Sequence, residues 1–332
     1  MQTVLFYDRE RNQVRELRSM MASARCDCHI PADDEAFKEA LRQGDFSLLV
    51  YSQEHQHLVR EAGLTQPINQ PVILLTDANY EDLARLLPEI QATNLIARNP
   101  DGTIKLRELV NTVRKIFDED IFGVKHYLTN GTRSEVFHIR DSNERNEYIE
   151  TIVDYCKSMH LRSTLIQSVE LFCEELLMNA IYDAPRDESG AMLYNDWSRK
   201  ERVTLKPKQA ARMEFACDGE KLVVSISDPF GAMTWDILQS FLIRCFGSHS
   251  KIGNFTDQGG AGLGLYFCFA SANSFVVNVD PERKSEFIGI FDVAARPKQR
   301  ASRYSSLHFF STQKTPVAAP SVALPLRRIR AV

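Results

Sequence analysis

The chain has 332 residues, 44% of them hydrophobic and 25% charged, enough to build two separate cores. Its net charge of −4 gives the whole molecule no pull toward nucleic acid, yet the charge is uneven. From Arg296 to the end there are eight Lys or Arg and no Asp or Glu, which leaves −12 on the remainder. No basic segment followed by an apolar one opens the chain, and no run approaches the roughly 18 apolar residues of a membrane helix. Neither a signal peptide nor a membrane span is therefore expected. Seven scattered cysteines without zinc-ligand spacing fit a reducing cytoplasm.

Residues 1–122 read as alternating strands and helices. Thr3 to Tyr7 is a β-rich run, and Gln13 to Ala24 carries Val14, Leu17 and Met21 at helical spacing. A weak strand at Cys26 to Ile30 precedes a helix at Asp34 to Arg42. Buried strands follow at Phe46 to Tyr51 and Pro71 to Leu75. A helix at Tyr80 to Leu87, a strand at Asn94 to Ala97 and a helix at Ile104 to Phe117 complete the series. Five such strands imply a doubly wound parallel sheet. The order resembles the receiver domain of response regulators, a flavodoxin-like fold.

That resemblance implies acids after the first strand, a phospho-accepting Asp at the end of the third, a hydroxyl after the fourth and a Lys after the fifth. Asp8 with Glu10 fits the first place, Thr76 the third, and Arg98 lies near the fourth. The end of the third strand, Leu49-Val50-Tyr51-Ser52-Gln53, has no Asp. Without that carboxylate no aspartyl phosphate forms. The expectation is a pseudo-receiver for docking or dimerisation, with a plain flavodoxin-like domain of other origin as the alternative. Residues 123–135, holding Gly123, Asn130 and Gly131, read as a linker.

Residues 136–295 form the second expected domain. A strand at Val136 to Ile139 leads to an amphipathic helix over Glu144 to Met159. A second helix covers Leu165 to Ala184, with Val169, Phe172, Cys173, Leu176 and Leu177 on its apolar face. Glu175 and Asn179 are four apart and share another face, one turn from each other. An amide oxygen can ligate Mg²⁺, and a carboxylate one turn earlier can reach a hydroxyl near a γ-phosphate. Alone, the pair reads more readily as two solvated polar residues, and the rest of the chain gives it meaning. Lys221 to Ser227 is an alternating strand that ends at Asp228-Pro229-Phe230-Gly231. This is a carboxylate able to accept from an adenine amino group, or simply a turn. Gln258 to Leu265, QGGAGLGL, opens a helical stretch running to Ala272. Glycines before a helix let backbone N–H groups close on phosphate oxygens. The absence of a following Lys-Ser or Lys-Thr excludes a Walker A loop. Polar Ser248 to Gln258 reads as a lid, and Ser274 to Val279 with Glu286 to Val293 as a hairpin.

In this order and spacing, these elements resemble the GHKL ATPases, the histidine-kinase-like fold. Glu175 and Asn179 match its N box, Asp228 and Gly231 its G1 box, and Gly260, Gly262 and Gly264 its G2 box. The resemblance covers 136–294 and implies an α/β sandwich with ATP and Mg²⁺ between helices and lid. The G1 box departs from the pattern, since Phe230 replaces its first glycine. None of His126, His138 and His160 lies on the paired helices that a phospho-accepting histidine needs, and one strand and one helix precede the N box. That layout resembles the anti-sigma-factor serine kinases.

The implied activity is transfer of the ATP γ-phosphate to a Ser or Thr of a partner, an anti-anti-sigma-like or sigma-like regulator. Glu175 acts as general base and Asn179 holds Mg²⁺. Gly260, Gly262, Leu263 and Gly264 position phosphates, Asp228 and Gly231 meet the base, and Asp183 lines the pocket. A non-catalytic ATP-gated switch and an atypical histidine kinase are the alternatives, and a homodimer is compatible with both modules. The charged excursion from Pro185 to Arg212 includes one expected strand, Arg202 to Leu205. The Ser-, Pro- and Lys/Arg-rich segment 296–332 reads as a disordered basic tail.

Overall fold

The β-rich runs of the first third become β1 (Gln2–Tyr7), β2 (Cys26–His29), β3 (Leu48–Ser52), β4 (Val72–Thr76) and β5 (Asn94–Ala97). Between and after them lie α1 (Val14–Ser23), α2 (Asp34–Gln43), α3 (Gln56–Glu61), α4 (Tyr80–Leu86) and α5 (Leu106–Asp118). The computed structural model describes residues 1–8, 10–62, 68–78, 80–247, 263–294 and 305–313. All four pairings among these strands are parallel, in the order β2-β1-β3-β4-β5. β3 and β4 are buried throughout, as the continuous apolar runs of a two-sided parallel sheet demand.

The second half contributes β6 (Glu135–Ile139), α6 (Arg145–Ser158), α7 (Ser163–Met178), β7 (Ala211–Cys217) and β8 (Lys221–Asp228). It continues with α8 (Trp235–Gly247), α9 (Leu263–Ser271), β9 (Ser274–Asp280) and β10 (Lys284–Asp292). Its antiparallel strands run in the order β9-β10-β8-β7-β6.

A last strand, β11 (Ser306–Ser311), joins the two sets. It pairs in parallel with β9 over six residues and antiparallel with β5 at Leu307 and Leu95 and at His308 and Asn94. The result is one mixed sheet of eleven strands, half of its pairings parallel. This corrects the expectation of a disordered tail from Arg296, because Ser306 to Phe310 are buried. Residues 296–304 and 314–332 of that tail lie outside the described residues.

Two layers cover the sheet. On the front, α2, α3 and α4 share one continuous apolar core with α6, α7, α8 and α9. On the back, α1 and α5 cover the parallel half. The antiparallel half is covered there by the segment 121–128, where Ile121 and Val124 pack on Val223, Val276 and Ile288. The expected linker is thus partly a packed layer, and the Gly123 amide donates to buried Glu286 at 2.9 Å. The expected strand at Arg202 to Leu205 is reduced to a single bridge between Thr204 and Asp141. Among the described residues no helix is long and apolar enough to cross a membrane.

Candidate functional site

α7 is held to the sheet by its apolar face. Phe172 meets Phe275 of β9 and Phe291 of β10 edge-on, at 6.2 and 5.6 Å between ring centres. Leu176 and Leu177 are buried one turn later. This fixes Glu175 on the flank of α7 that faces α9. A Cβ added at Gly264, in the first turn of α9, would collide with a Glu175 carboxylate oxygen. Glycine there lets the amino-terminal turn of α9 lie against the Glu175 side chain, whose flexible end would otherwise have to turn aside. Burial pushes the Glu175 carboxyl above its ordinary value, and the neighbouring Glu174 charge adds to that.

At Asn179 the α-helix gives way to a wider π-turn, Asn179–Asp183, and the Ala184 amide donates to the Asn179 carbonyl at 2.8 Å. Single π-turns are found frequently at functional sites. Asn179 is half-buried. Asp183, at the end of the turn, accepts from Arg199 Nη2 at 2.7 Å, and that guanidinium lies 4.9 Å from the Tyr182 ring. The charged excursion is therefore tied back to the end of α7.

Asp228 closes β8 and is buried. Phe230 N donates to Asp228 Oδ1 at 2.9 Å. Burial raises this carboxyl to about 6; opposing it are bonds from the Phe230 and Gly231 amides and the Ser285 hydroxyl, and the charge of Arg186. Arg186 follows the π-turn, so the end of α7 and the end of β8 face one site. Gly231 has φ +62°, and a Cβ there would collide with the Asp280 carbonyl and stand 2.7 Å from the Glu282 and Arg283 amides. Its close approach is thus to the turn between β9 and β10.

Of the residues expected from sequence, Glu175 and Gly264 meet, while Asn179 opens the π-turn that packs near β8, the strand that Asp228 closes. The Leu263 side chain, Gly260, Gly262 and the lid Ser248 to Gln258 lie outside the described residues. Ser285 and Arg186 were not foreseen. Ser285 reaches Asp228 only through the β8–β10 register, which pairs the two residues directly.

The parallel half has its own polar cluster. Asp8 is fully buried after β1, and Arg98 Nη2 donates to Asp8 Oδ2 at 2.7 Å and to Ser52 Oγ at 2.6 Å. Thr76 bonds Gln53, and its Oγ1 accepts from the Ala78 amide at 2.9 Å. Asp8, Glu54 and His55 bring three potential ligand atoms within 4.8 Å of one another. Asp8, however, is already committed to the guanidinium, which adds a positive charge against a cation.

No protein-family model matches the sequence, and no curated protein proves similar to it.

Proposed function

We propose that the antiparallel half binds ATP with Mg²⁺ and transfers the γ-phosphate to a Ser or Thr of a partner protein, as an anti-sigma-type serine kinase in the cytoplasm. The observation that carries this reading is the packing of Glu175 against Gly264. It sets a carboxylate of raised basicity at the amino end of a glycine-preceded helix, where phosphate oxygens bind most readily. Asn179, one turn on, offers an amide oxygen to Mg²⁺. Asp228, buried at the end of β8, offers a carboxylate to the base. The strand order with α6, α7 and α9 on one face also supports a GHKL sandwich. The order β2-β1-β3-β4-β5 supports a flavodoxin-like fold for the parallel half. Arg98 bound to Asp8 and Ser52 supports a pseudo-receiver that docks rather than accepts phosphate. Cysteines present as thiols agree with a reducing compartment.

Calorimetric titration with ATP and Mg²⁺ tests the pocket. Wild type is expected to bind, and Asn179→Ala and Asp228→Asn to weaken binding about tenfold or more, the cost of a lost bond to a charged group. No heat from wild type would remove the reading. Glu175→Gln separates the kinase from a gated switch. Loss of phosphoserine on a captured partner with binding retained supports the kinase, whereas unchanged signalling supports the switch.

A further inference from the structure

The back of the sheet buries charges that the front-face chemistry does not use. Lys115 of α5 is 3% exposed. Its Nζ donates to Asn278 Oδ1 of β9 at 2.9 Å, lies 2.5 Å from Tyr127 Oη, and sits 4.0 Å from the centre of the Phe310 ring on β11. Glu286 of β10 is wholly buried. It accepts from Asn278 Nδ2 at 2.8 Å, Ser225 Oγ at 3.0 Å and Gly123 N at 2.9 Å, with Lys284 Nζ at 3.6 Å. Asn278 is therefore a relay, its oxygen toward the lysine and its nitrogen toward the carboxylate.

The contacts of Lys115 cross between the halves, and those of Glu286 hold Asn278 in place within the antiparallel half. Lys115 belongs to the helix that closes the parallel half, and its partners belong to the 121–128 segment, β9 and β11. An apolar residue of the same length would join the halves at no cost in buried charge. A cleft of about 680 Å³, between α5, that segment and the β7–β8 turn, has Lys115 in its wall. The side chain thus has somewhere to go when its charge must be solvated.

We propose that Lys115 is a proton-operated joint between the two halves. As the neutral amine it fits the closed slot, donating to Asn278 and accepting from the Tyr127 hydroxyl. Protonation drives the ammonium outward into the cleft and loosens α5 from β9. Burial pushes Lys115 down to about 7, while the charges of Glu286 and Asp120 pull it upward. The other titratable and charged groups around it are Asp120, Lys125, His126 and Tyr127 on the segment after α5, Lys284 beside Glu286 on β10, His308 on β11, Glu108, Arg114 and Asp118 on α5 itself, and Asp218, Glu220 and Lys221 across the cleft. Asn278 is the facing residue of β9 and does not titrate.

The unfolded chain holds the lysine proton to about 10.5. The penalty of the buried charge is therefore complete below pH 7 and relieved as pH rises from 7 to 10.5. The joint lies on the face opposite Asp228 and stands whether or not that carboxylate meets a nucleotide.

The test is amide hydrogen exchange of the full chain at pH 6 and pH 8.5, corrected for intrinsic rates, with an NMR titration of the Lys115 side chain. Protection of α5 and β9 is expected to be about thirtyfold higher at pH 8.5, the effect of one proton's difference acting over roughly 1.5 pH units above 7. Lys115→Met is expected to give high protection at both values. Equal pH dependence in wild type and Lys115→Met would overturn the proposal, as would a Lys115 midpoint near 10.5. Should Lys115→Met not fold, Glu286→Gln serves instead. Its missing charge is expected to move the Lys115 midpoint further down, and an unchanged midpoint overturns the proposal equally.

Discussion

Two buried carboxylates show how the same residue type takes opposite roles. Asp8 has a cation in contact, and Asp228 has amides, a hydroxyl and a more distant arginine. Removing Arg98 leaves a fully buried carboxylate without its countercharge. Arg98→Ala is therefore expected to cost about 3–5 kcal/mol in urea unfolding. Asp8→Asn with Arg98→Ala together should cost clearly less than the two singly, and simple additivity would show that the pair is not coupled. Asp228 behaves differently. Its folded pKa of about 6 lies above the ordinary 3.8, so the folded state favours the protonated form. Its contribution is present below pH 4 and lost as pH rises through 6, by up to about 3 kcal/mol. The stability of wild type minus that of Asp228→Asn should fall across this window, and a flat difference from pH 4 to 6.5 would refute the assignment.

At the scale of elements, most strands and helices read from local pattern match the structure, but Arg202 to Leu205 forms only a bridge and α3 was not read. β1, β3, β4 and β5 are uninterrupted apolar runs, and α7 carries its apolar residues at helical spacing. The helix carrying Glu175 and the helix start at Gly264 were legible because helix geometry and glycine chemistry are local. β11 was not. Its six residues, SLHFFS, sit within a Ser-, Pro- and Lys/Arg-rich stretch whose average composition reads as unstructured, and its partners are far along the chain. The Ser306 hydroxyl accepts from the Ala97 amide at a separation of 209 residues. α8 was hidden for another reason. Trp235, Leu238 and Leu242 are buried at i, i+3 and i+7, but Phe241 and Ile243 are half-buried and Ile237 is exposed, so apolar residues off that stripe blur its period in the sequence. β11 nonetheless carries weight on both faces. Leu307 and Phe309 enter the front core, with Phe309 5.9 Å from the Trp235 ring, while His308 and Phe310 face α5. Phe309→Ala is expected to cost about 3–5 kcal/mol, read as a shift of the urea midpoint at constant slope. A change under about 1 kcal/mol would mean that the strand is not a structural member.

For the whole molecule the consequence is cooperativity. Two domains joined by a linker would unfold independently, but here the halves share a sheet, a front core and two buried polar clusters. Beyond Lys115 and Glu286, Glu108 of α5 accepts from Ser274 Oγ at 2.6 Å and contacts His308 Nε2 at 3.1 Å, while His308 Nδ1 meets Asn94 Oδ1 at 3.2 Å. The charges of Lys105 and His308 and these hydrogen bonds hold the Glu108 carboxyl far below its ordinary value against strong burial. On the front, Gln239 of α8 donates to the Leu87 carbonyl at 2.5 Å, beyond the end of α4. Opening either half alone would expose a strand edge of β5 or β9 and strand these buried polar groups without partners. The halves should therefore unfold together. Both tryptophans, Trp197 and Trp235, report the antiparallel half. A tryptophan placed at exposed His57 in a Trp197→Phe, Trp235→Phe background reports the parallel half. Urea curves from the two probes, each compared with circular dichroism of the same variant, should each coincide with the global transition. In Phe309→Ala the coincidence should break, because the strand that welds the halves is the one weakened. A fluorescence transition at His57→Trp separated from the global one, with β11 intact, would mean that the eleven strands do not act as one sheet.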